Sequence, residues 1–390
     1  MIRRNRTDFL VFGSPLIEEE EINEVVNSLK SGWIGTGPKV HRFEEMFRQF
    51  KGINHAVALN SCTAALHLSL IAIGIQPGDE VIVPTMTFAA SANAVIHAGG
   101  IPILVDCEKD TMNVSLSDIE RKITPKTRAI IVVHFAGRPC AMNPIMDLAR
   151  THHLKVIEDC AHSIEGQYQG TPTGCFGDIG CFSFYVTKNI ITGEGGMAIT
   201  NHVAYSDKIK TLALHGMSKD AWKRFSDEGY KHYQVVYAGF KYNMMDIQAA
   251  MGIHQLPRIH AYHHHRKTIW ETYDNAFRDL PVFLPAPIPS DMTHSYHLYT
   301  LLLDTDRLSI SRDAFLDEMT RRNIGVGVHY IALHLHPYYH DTYGYRPGDF
   351  PNAEWISERT VSLPLSAKLT ANDVQDVIAA VTDILNTHRK

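Results

Sequence analysis

Between His55 and Thr200, short and almost wholly apolar runs alternate with longer segments of helical spacing, and this rhythm limits the possible folds more than any other feature. His55 to Leu59 precedes an Ala/Leu-rich helix from Ala64 to Ile73. Val81 to Pro84 precedes a helix from Ala89 to Ala98, and Ile101 to Val105 precedes one that starts near Ser117. Ala129 to His134, dense in β-branched residues, leads to a helix from Met142 to His152. Leu154 to Ile157 then runs into Glu158-Asp159. A strand covered on both faces has no polar side to alternate with, so such runs read as parallel strands with helices on both faces. The expected class is α/β with a mostly parallel central sheet. Ligands in such sheets sit beyond the carboxyl ends of the strands, where Thr63, Phe88, His134, Asp159 and Lys188 all fall.

Outside this stretch the pattern loosens. Ile17 to Leu29 and Val40 to Phe50 read as amphipathic helices joined by a glycine-rich connector, Ser31 to Pro38, suited to close approach of backbone to a ligand. Leu212 to Gly239, which includes Trp222, is polar, aromatic and irregular and reads as a long functional loop. A helix follows from Asp246 to Leu256, then a long helix carrying His263-His264-His265, then a linker marked by Pro281, Pro285, Pro287 and Pro289. Strand His297 to Leu303, helix Arg312 to Arg322, strand Val326 to Tyr330 and a last helix from Asp373 to Leu385 suffice for a small α+β domain. The expected division is 1–256 for the large domain and 257–390 for the small one.

Composition removes several function classes. A formal net charge of −5 gives no field for nucleic acid. No apolar run is long enough to span a membrane, and the basic head is followed by a run broken at Gly13 and Pro15, so neither a membrane partner nor a secretory signal is expected. The six cysteines form no CxxC pair and read as reduced thiols, which points to the cytoplasm. No metal is expected. The three consecutive histidines diverge around a helix, and His334-x-His336 lacks an evident third ligand.

Asp159 ends one strand, and Lys188 follows the next apolar run, Ile179 to Val186, shortly before Gly193-Glu194-Gly195-Gly196. On their own the two residues fit a buried ion pair or two solvated loop positions equally well. Their surroundings suggest more. Pyridoxal phosphate requires an amine for its aldehyde, a carboxylate for its pyridine nitrogen, an anion cup for its phosphate and an apolar face for its ring. Lys188, Asp159, the Ser61–Ala64 helix start and Phe88 are of those types, and Ser183 could add a hydroxyl to the phosphate. As plain structure, the Ser61–Thr63 segment is a helix cap and nothing further.

The segments SGWIGTGPKV, SCTAALHLSLIAIG, GDEVIVPTMTF, VIEDCAHSIEG, GDIGCFSFYVTKNIITGEGGM, GFKYNMMDIQAAMGIHQL and IGVGVHY, in this order, resemble the DegT/DnrJ/StrS family of nucleotide-sugar aminotransferases, enzymes of pyridoxal-phosphate fold type I. The resemblance covers nearly the whole chain. It implies that Lys188 links the cofactor and then shuttles the proton, that Asp159 keeps the pyridine nitrogen protonated, and that Phe88 stacks on the ring. It implies further that His162 lies near the ring hydroxyl. The phosphate would be held by Thr63, the backbone of Cys62 and Ala64, and Ser183, with Asn243 reaching it from a neighbouring subunit of a homodimer. A helix cap is the plainer role for Asn243. Within the family, SGWIGTGPK, HFAGRP, HGMSKDAWKR, KYNMMD and GVHYIALH most resemble the UDP-4-amino-4-deoxy-L-arabinose aminotransferases. That would turn His329, Tyr330, Trp222 and Lys241 toward the sugar or its nucleotide, with an amino acid such as L-glutamate as donor. A C3 aminotransferase, or another fold-type I enzyme such as an amino-acid lyase, is the alternative.

Overall fold

The computed structural model describes residues 6–218 and 233–390. Its strands are β1 (His55–Leu59), β2 (Glu80–Pro84), β3 (Ile101–Val105), β4 (Thr127–Val133), β5 (Lys155–Asp159), β6 (Gln167–Tyr168), β7 (Thr171–Pro172), β8 (Ile179–Ser183), β9 (Gly196–Thr200), β10 (Val282–Phe283), β11 (Met292–Thr293), β12 (Tyr299–Leu303) and β13 (Thr360–Leu363). The main sheet has seven strands in the order β1-β9-β8-β5-β4-β2-β3. Neighbours from β3 across to β8 run parallel, whereas β9 is antiparallel to both β8 and β1. The mostly parallel α/β architecture expected from the sequence is thus present, with one reversed strand where the chain doubles back after β8.

Both faces of this sheet are covered, and successive residues show it. Val57, Leu59, Cys181 and Ala198 join a core with the helix Cys62–Ile73, whereas Ala56, Ala58, Phe182, Met197 and Ile199 pack with Phe43 and Phe47 of the helix Pro38–Lys51. Side chains alternate across a strand, so two neighbouring apolar residues feed two different cores. The helix Cys62–Ile73 carries apolar residues on every side, as its burial requires.

A second core lies beyond residue 257. Here β12 pairs with β10 and β13, and the helices Ile259–Phe277, Arg312–Arg321 and Ala371–Thr387 pack Phe277, Phe315 and Val381 against Tyr299 and Val361. The chain start joins this region, since Leu10 pairs with Ile324. β11 instead reaches back to β6, on the turns that follow β5. No helix among the described residues is long and apolar enough to cross a membrane.

One local expectation needs correction. Val326 to Tyr330 is not a continuous strand: only Gly327 bridges, to Ser362, and the segment then leaves the sheet. Its β-rich composition serves half-buried contacts instead of a ladder. β13 supplies the missing strand. The helix expected near Ser117 is present, beginning at Leu116 with Asp118 in its first turn and Ser115 in the cap position. The glycine-rich connector also packs closely against a buried side chain, that of Asp246. Asp246 accepts from the N–H groups of Gly37 (2.8 Å), Lys39 (3.2 Å) and Val40 (3.0 Å), placing its carboxylate on the positive end of the helix Pro38–Lys51. A side chain at residue 37 would stand 2.8 Å from that carboxylate.

Candidate active site

The loop 184–195 links β8 to β9 and is closed by backbone bonds from Phe184 to Gly195 (2.9 Å) and from Thr192 to Phe184 (2.8 Å). Lys188 sits on it, its own N–H bonded to the Tyr185 carbonyl at 2.8 Å. The side chain is half-buried and makes no ion pair with Asp159. Desolvation pulls the amine down from 10.5 to about 8, although Asp159 and Cys62 push it up. A lysine in this state holds a usable fraction of neutral amine near physiological pH.

Asp159 ends β5 and is buried. Burial pushes its carboxyl above the ordinary value, against the Ser91 hydroxyl, the Ala161 N–H and Lys188, which favour the ionised form. The Ser91 hydroxyl donates to Oδ2 at 2.7 Å and the Ala161 N–H to Oδ1 at 3.1 Å. Since Ser91 donates to the carboxylate, it accepts from the Thr87 hydroxyl at 2.9 Å. Ser91 was not found from the sequence, and its only signal is a lone hydroxyl in a first helical turn of small apolar residues.

The helix Cys62–Ile73 begins beside this pair. Ser61 caps it by accepting from the Ala64 N–H at 3.1 Å, so Ala64 has no N–H left for an anion. The N–H groups of Cys62 and Thr63 have no acceptor among the described residues. Gly196 brings them against the strand ends: a Cβ there would lie 2.3 Å from the Ser61 carbonyl carbon and 2.5 Å from the Cys62 nitrogen. Gly196 pairs in turn with Ser183. Cys62, Thr63 and Ser183 therefore surround one spot at a helix N-terminus, where partial positive charge favours an anion.

Aromatic and imidazole rings line the other side. Phe88, at the end of β2, is 63% exposed and lies 6.2 Å from the ring of Tyr330. The Tyr330 hydroxyl is 3.2 Å from His162 Nε2, while His162 Nδ1 is buried without any partner. His329 stacks on Phe12 at 5.6 Å and bonds Ser362 through Nδ1 at 2.8 Å. His297, missed in the sequence because it opens a strand segment, packs 4.4 Å from His162. Burial first, then the charge of Lys188, holds His162 and His297 well below the ordinary imidazole range and brings His329 down to about 4. All three are neutral at pH 7.

Of the remaining expected positions, Lys241 is exposed and pairs with Leu214, and Trp222 falls outside the described residues. Asn243 bridges to Leu59 and donates to the Thr36 hydroxyl at 2.6 Å, with its Oδ1 buried and unpartnered. It is not the helix cap, because Met245 occupies that position. His263 and His265 bond different carbonyls, those of His294 and Leu369. His334 bonds Thr85 and Glu354. His134, Glu158 and Cys160 are clustered, but Glu158 already accepts from Gly174, Phe176, Gly177 and His134, and His134 Nδ1 accepts from Cys140. Those bonds shape the turns after β5 and occupy the ligand atoms.

The donor set fits pyridoxal phosphate. An unpaired amine, a separate buried carboxylate, two free helix N–H groups, an orphaned imidazole nitrogen and an uncovered aromatic face lie around one end of the sheet. Comparison with known proteins agrees with that chemistry. Residues 15–382 match the DegT/DnrJ/EryC1/StrS aminotransferase family. The spore coat polysaccharide biosynthesis protein SpsC of Bacillus subtilis is 45% identical over 383 residues, 98% of this chain and 98% of its own. Among solved structures, Spr1654 of Streptococcus pneumoniae, provisionally assigned as a sugar aminotransferase, superposes in its PMP form with a TM-score of 0.91 at 32% identity, covering 97% of this chain and 99% of its own. The Helicobacter pylori aminotransferase PseC, involved in the biosynthesis of pseudoaminic acid, gives 0.90 at 27% identity, covering 97% and 100%. The chain belongs to the DegT/DnrJ/EryC1/StrS aminotransferase family.

Proposed function

We propose that this aminotransferase moves an amino group from an amino acid, with L-glutamate as the donor, to the keto group of a nucleotide-linked sugar, with a UDP-4-keto sugar as the acceptor, for surface-polysaccharide or amino-sugar biosynthesis. The family match makes it an aminotransferase. The PLP and PMP forms of Spr1654 identify the cofactor as pyridoxal phosphate. The roles of SpsC and PseC support the sugar reading. The observation that carries the proposal is Lys188: a half-buried amine lowered to about 8, without an ion pair, beside a buried carboxylate.

Bound pyridoxal phosphate supplies an aldehyde for the travelling amine and a ring that accepts electrons when a proton leaves carbon. Lys188 would hold that aldehyde and, as a free amine, would take up and return that proton. Asp159, whose ionised form the Ser91 hydroxyl and the Ala161 N–H favour against burial, would stabilise positive charge at the ring nitrogen. Cys62, Thr63 and Ser183 would receive the phosphate, Phe88 would cover a ring face and His162 Nδ1 would take the ring hydroxyl. His329, Tyr330 and Lys241 would face the sugar nucleotide. We read 1–256 as the cofactor domain and 257–390 as the smaller one that contributes His297, His329 and Tyr330.

The working unit we propose is a cytoplasmic homodimer in which Asn243 of one copy completes the phosphate site of the other. Ile22, Val26 and Leu29 are exposed on the helix Glu19–Ser31, which packs on the helix Asp246–Gln255, and Trp33, Ile34 and Met245 are exposed close in sequence to Thr36 and Asn243, as a covered face would require. The test is a purified enzyme loaded with cofactor and offered glutamate with a panel of UDP- and dTDP-keto sugars. Visible cofactor absorbance lost in Lys188→Ala, and an aminated sugar nucleotide, are expected. Release of ammonia or a keto acid without any sugar would point to a lyase and overturn the proposal.

A further inference from the structure

Asn189, next to Lys188, is clamped in one orientation. Its amide Nδ2 donates to Glu165 Oε2 at 2.8 Å and to the Ser295 carbonyl at 3.0 Å. Both partners can only accept, and Glu165 is itself fixed by a buried ion pair with Arg266, whose Nε donates to the Tyr296 carbonyl at 3.1 Å. The amide therefore turns Oδ1 toward His297 Nδ1, 2.9 Å away. An amide oxygen accepts only, so His297 carries its proton on Nδ1 and its lone pair on Nε2, across the ring from Asn189.

Nε2 of His297 has no partner among the described residues. The nearest imidazole cannot serve it: His162 lies ring over ring at 4.4 Å with an interplanar angle of 34°, out of line for an in-plane hydrogen bond. The residue is buried, yet Nε2 is not among the buried unpartnered atoms, so it is open to solvent in the unliganded protein and can take a donor from a bound molecule in place of water.

We propose that Asn189 and His297 are a positioning pair in which Asn189 fixes the tautomer and His297 Nε2 accepts a hydrogen bond from a hydroxyl of the sugar substrate. The proposal rests on the sugar-aminotransferase reading for its ligand but not for its tautomer. A substrate lacking that hydroxyl is discriminated against, because on binding it would cover the acceptor, displace the water that reaches it and supply no donor in return.

Two measurements test it. In cofactor-free protein labelled with 15N-histidine, the His297 signals, assigned by their loss in His297→Gln, should show a protonated Nδ1 and a bare Nε2. In Asn189→Leu they should show a mixture of tautomers. A protonated Nε2 in the wild type overturns the pair. In steady state, His297→Leu should raise KM for the keto sugar roughly 10- to 100-fold, the range for a lost buried hydrogen bond, with a smaller change in kcat. His297→Gln, which retains an acceptor, should recover much of that loss. An unmoved sugar KM in His297→Leu overturns the sugar contact. A rise only in the amino-acid half-reaction also overturns it and assigns the acceptor to the donor's ammonium. Failure of the wild type to aminate any sugar counts against the functional reading, while the tautomer result still decides on Asn189.

Discussion

The state of Lys188 before it meets its cofactor can be predicted in numbers. Desolvation lowers the amine from 10.5 to about 8, with Asp159 and Cys62 opposing. At pH 7 about one-tenth of such amines are neutral, against roughly one in 3,000 for an ordinary lysine, a reactivity advantage of about 300-fold. The gap corresponds to about 3 kcal/mol against the ammonium form in the folded chain, reduced to the extent that water reaches the half-buried group. The folded state releases its proton near pH 8 and the unfolded state only near 10.5, so the unfolded chain binds more protons between them. This site's contribution to stability therefore rises with pH across that window and is lost again on acidification. The assay is pulsed reductive methylation of cofactor-free enzyme from pH 6 to 10, with the Lys188 peptide followed by mass spectrometry against the exposed lysines of the same digest. Half-maximal labelling near pH 8 is expected, moving lower in Asp159→Asn because the charge that holds the proton is gone. A half-maximum above about pH 9.5, or an upward move in Asp159→Asn, would refute the electrostatic argument.

Two further outcomes follow from single contacts. Ser91→Ala removes the hydroxyl that donates to Asp159 at 2.7 Å. It should cost the cofactor-free protein about 1.5–3 kcal/mol where Asp159 is ionised and less where it is protonated. Burial has already raised this carboxyl, and the substitution raises it further, so the loss in urea midpoint should shrink as falling pH protonates Asp159; a loss that stays the same at every pH would sink the idea. Gly196→Ala places a methyl 2.3 Å from the Ser61 carbonyl carbon and must shift the helix start. Weaker cofactor retention in a chain destabilised by about 1–3 kcal/mol is expected, and wild-type retention in a gel-filtered sample would contradict the anion-cup geometry.

Much of the architecture was legible because its cause is local. Strands buried on both faces must be apolar throughout, so β1, β2, β4 and β5 stood out, and Asp159 was conspicuous as the polar end of such a run. Lys188 was legible for the same reason, as the first amine after another run. What was not legible depends on distant partners. Val326 to Tyr330 has strand composition, yet it meets a strand only where Gly327 bridges to Ser362, while β13 is only four residues between a helix and Pro364. Ser91, Asn189 and His297 are ordinary polar residues in sequence and gain their roles from Asp159, Glu165 and each other. Glu158, beside Asp159, is satisfied by turn N–H groups and His134, on the opposite face of β5. No spacing rule distinguishes those two carboxylates, but their partners do.

Transfer of nitrogen tests the central claim most directly. Wild-type enzyme loaded with pyridoxal phosphate is incubated with 15N-labelled glutamate and the keto-sugar panel, and the sugar nucleotides are examined by mass spectrometry and NMR. An aminated sugar nucleotide carrying the 15N label, with none formed by Lys188→Ala, is the predicted result. A cofactor-loaded wild type that deaminates glutamate yet leaves every keto sugar unlabelled would contradict it.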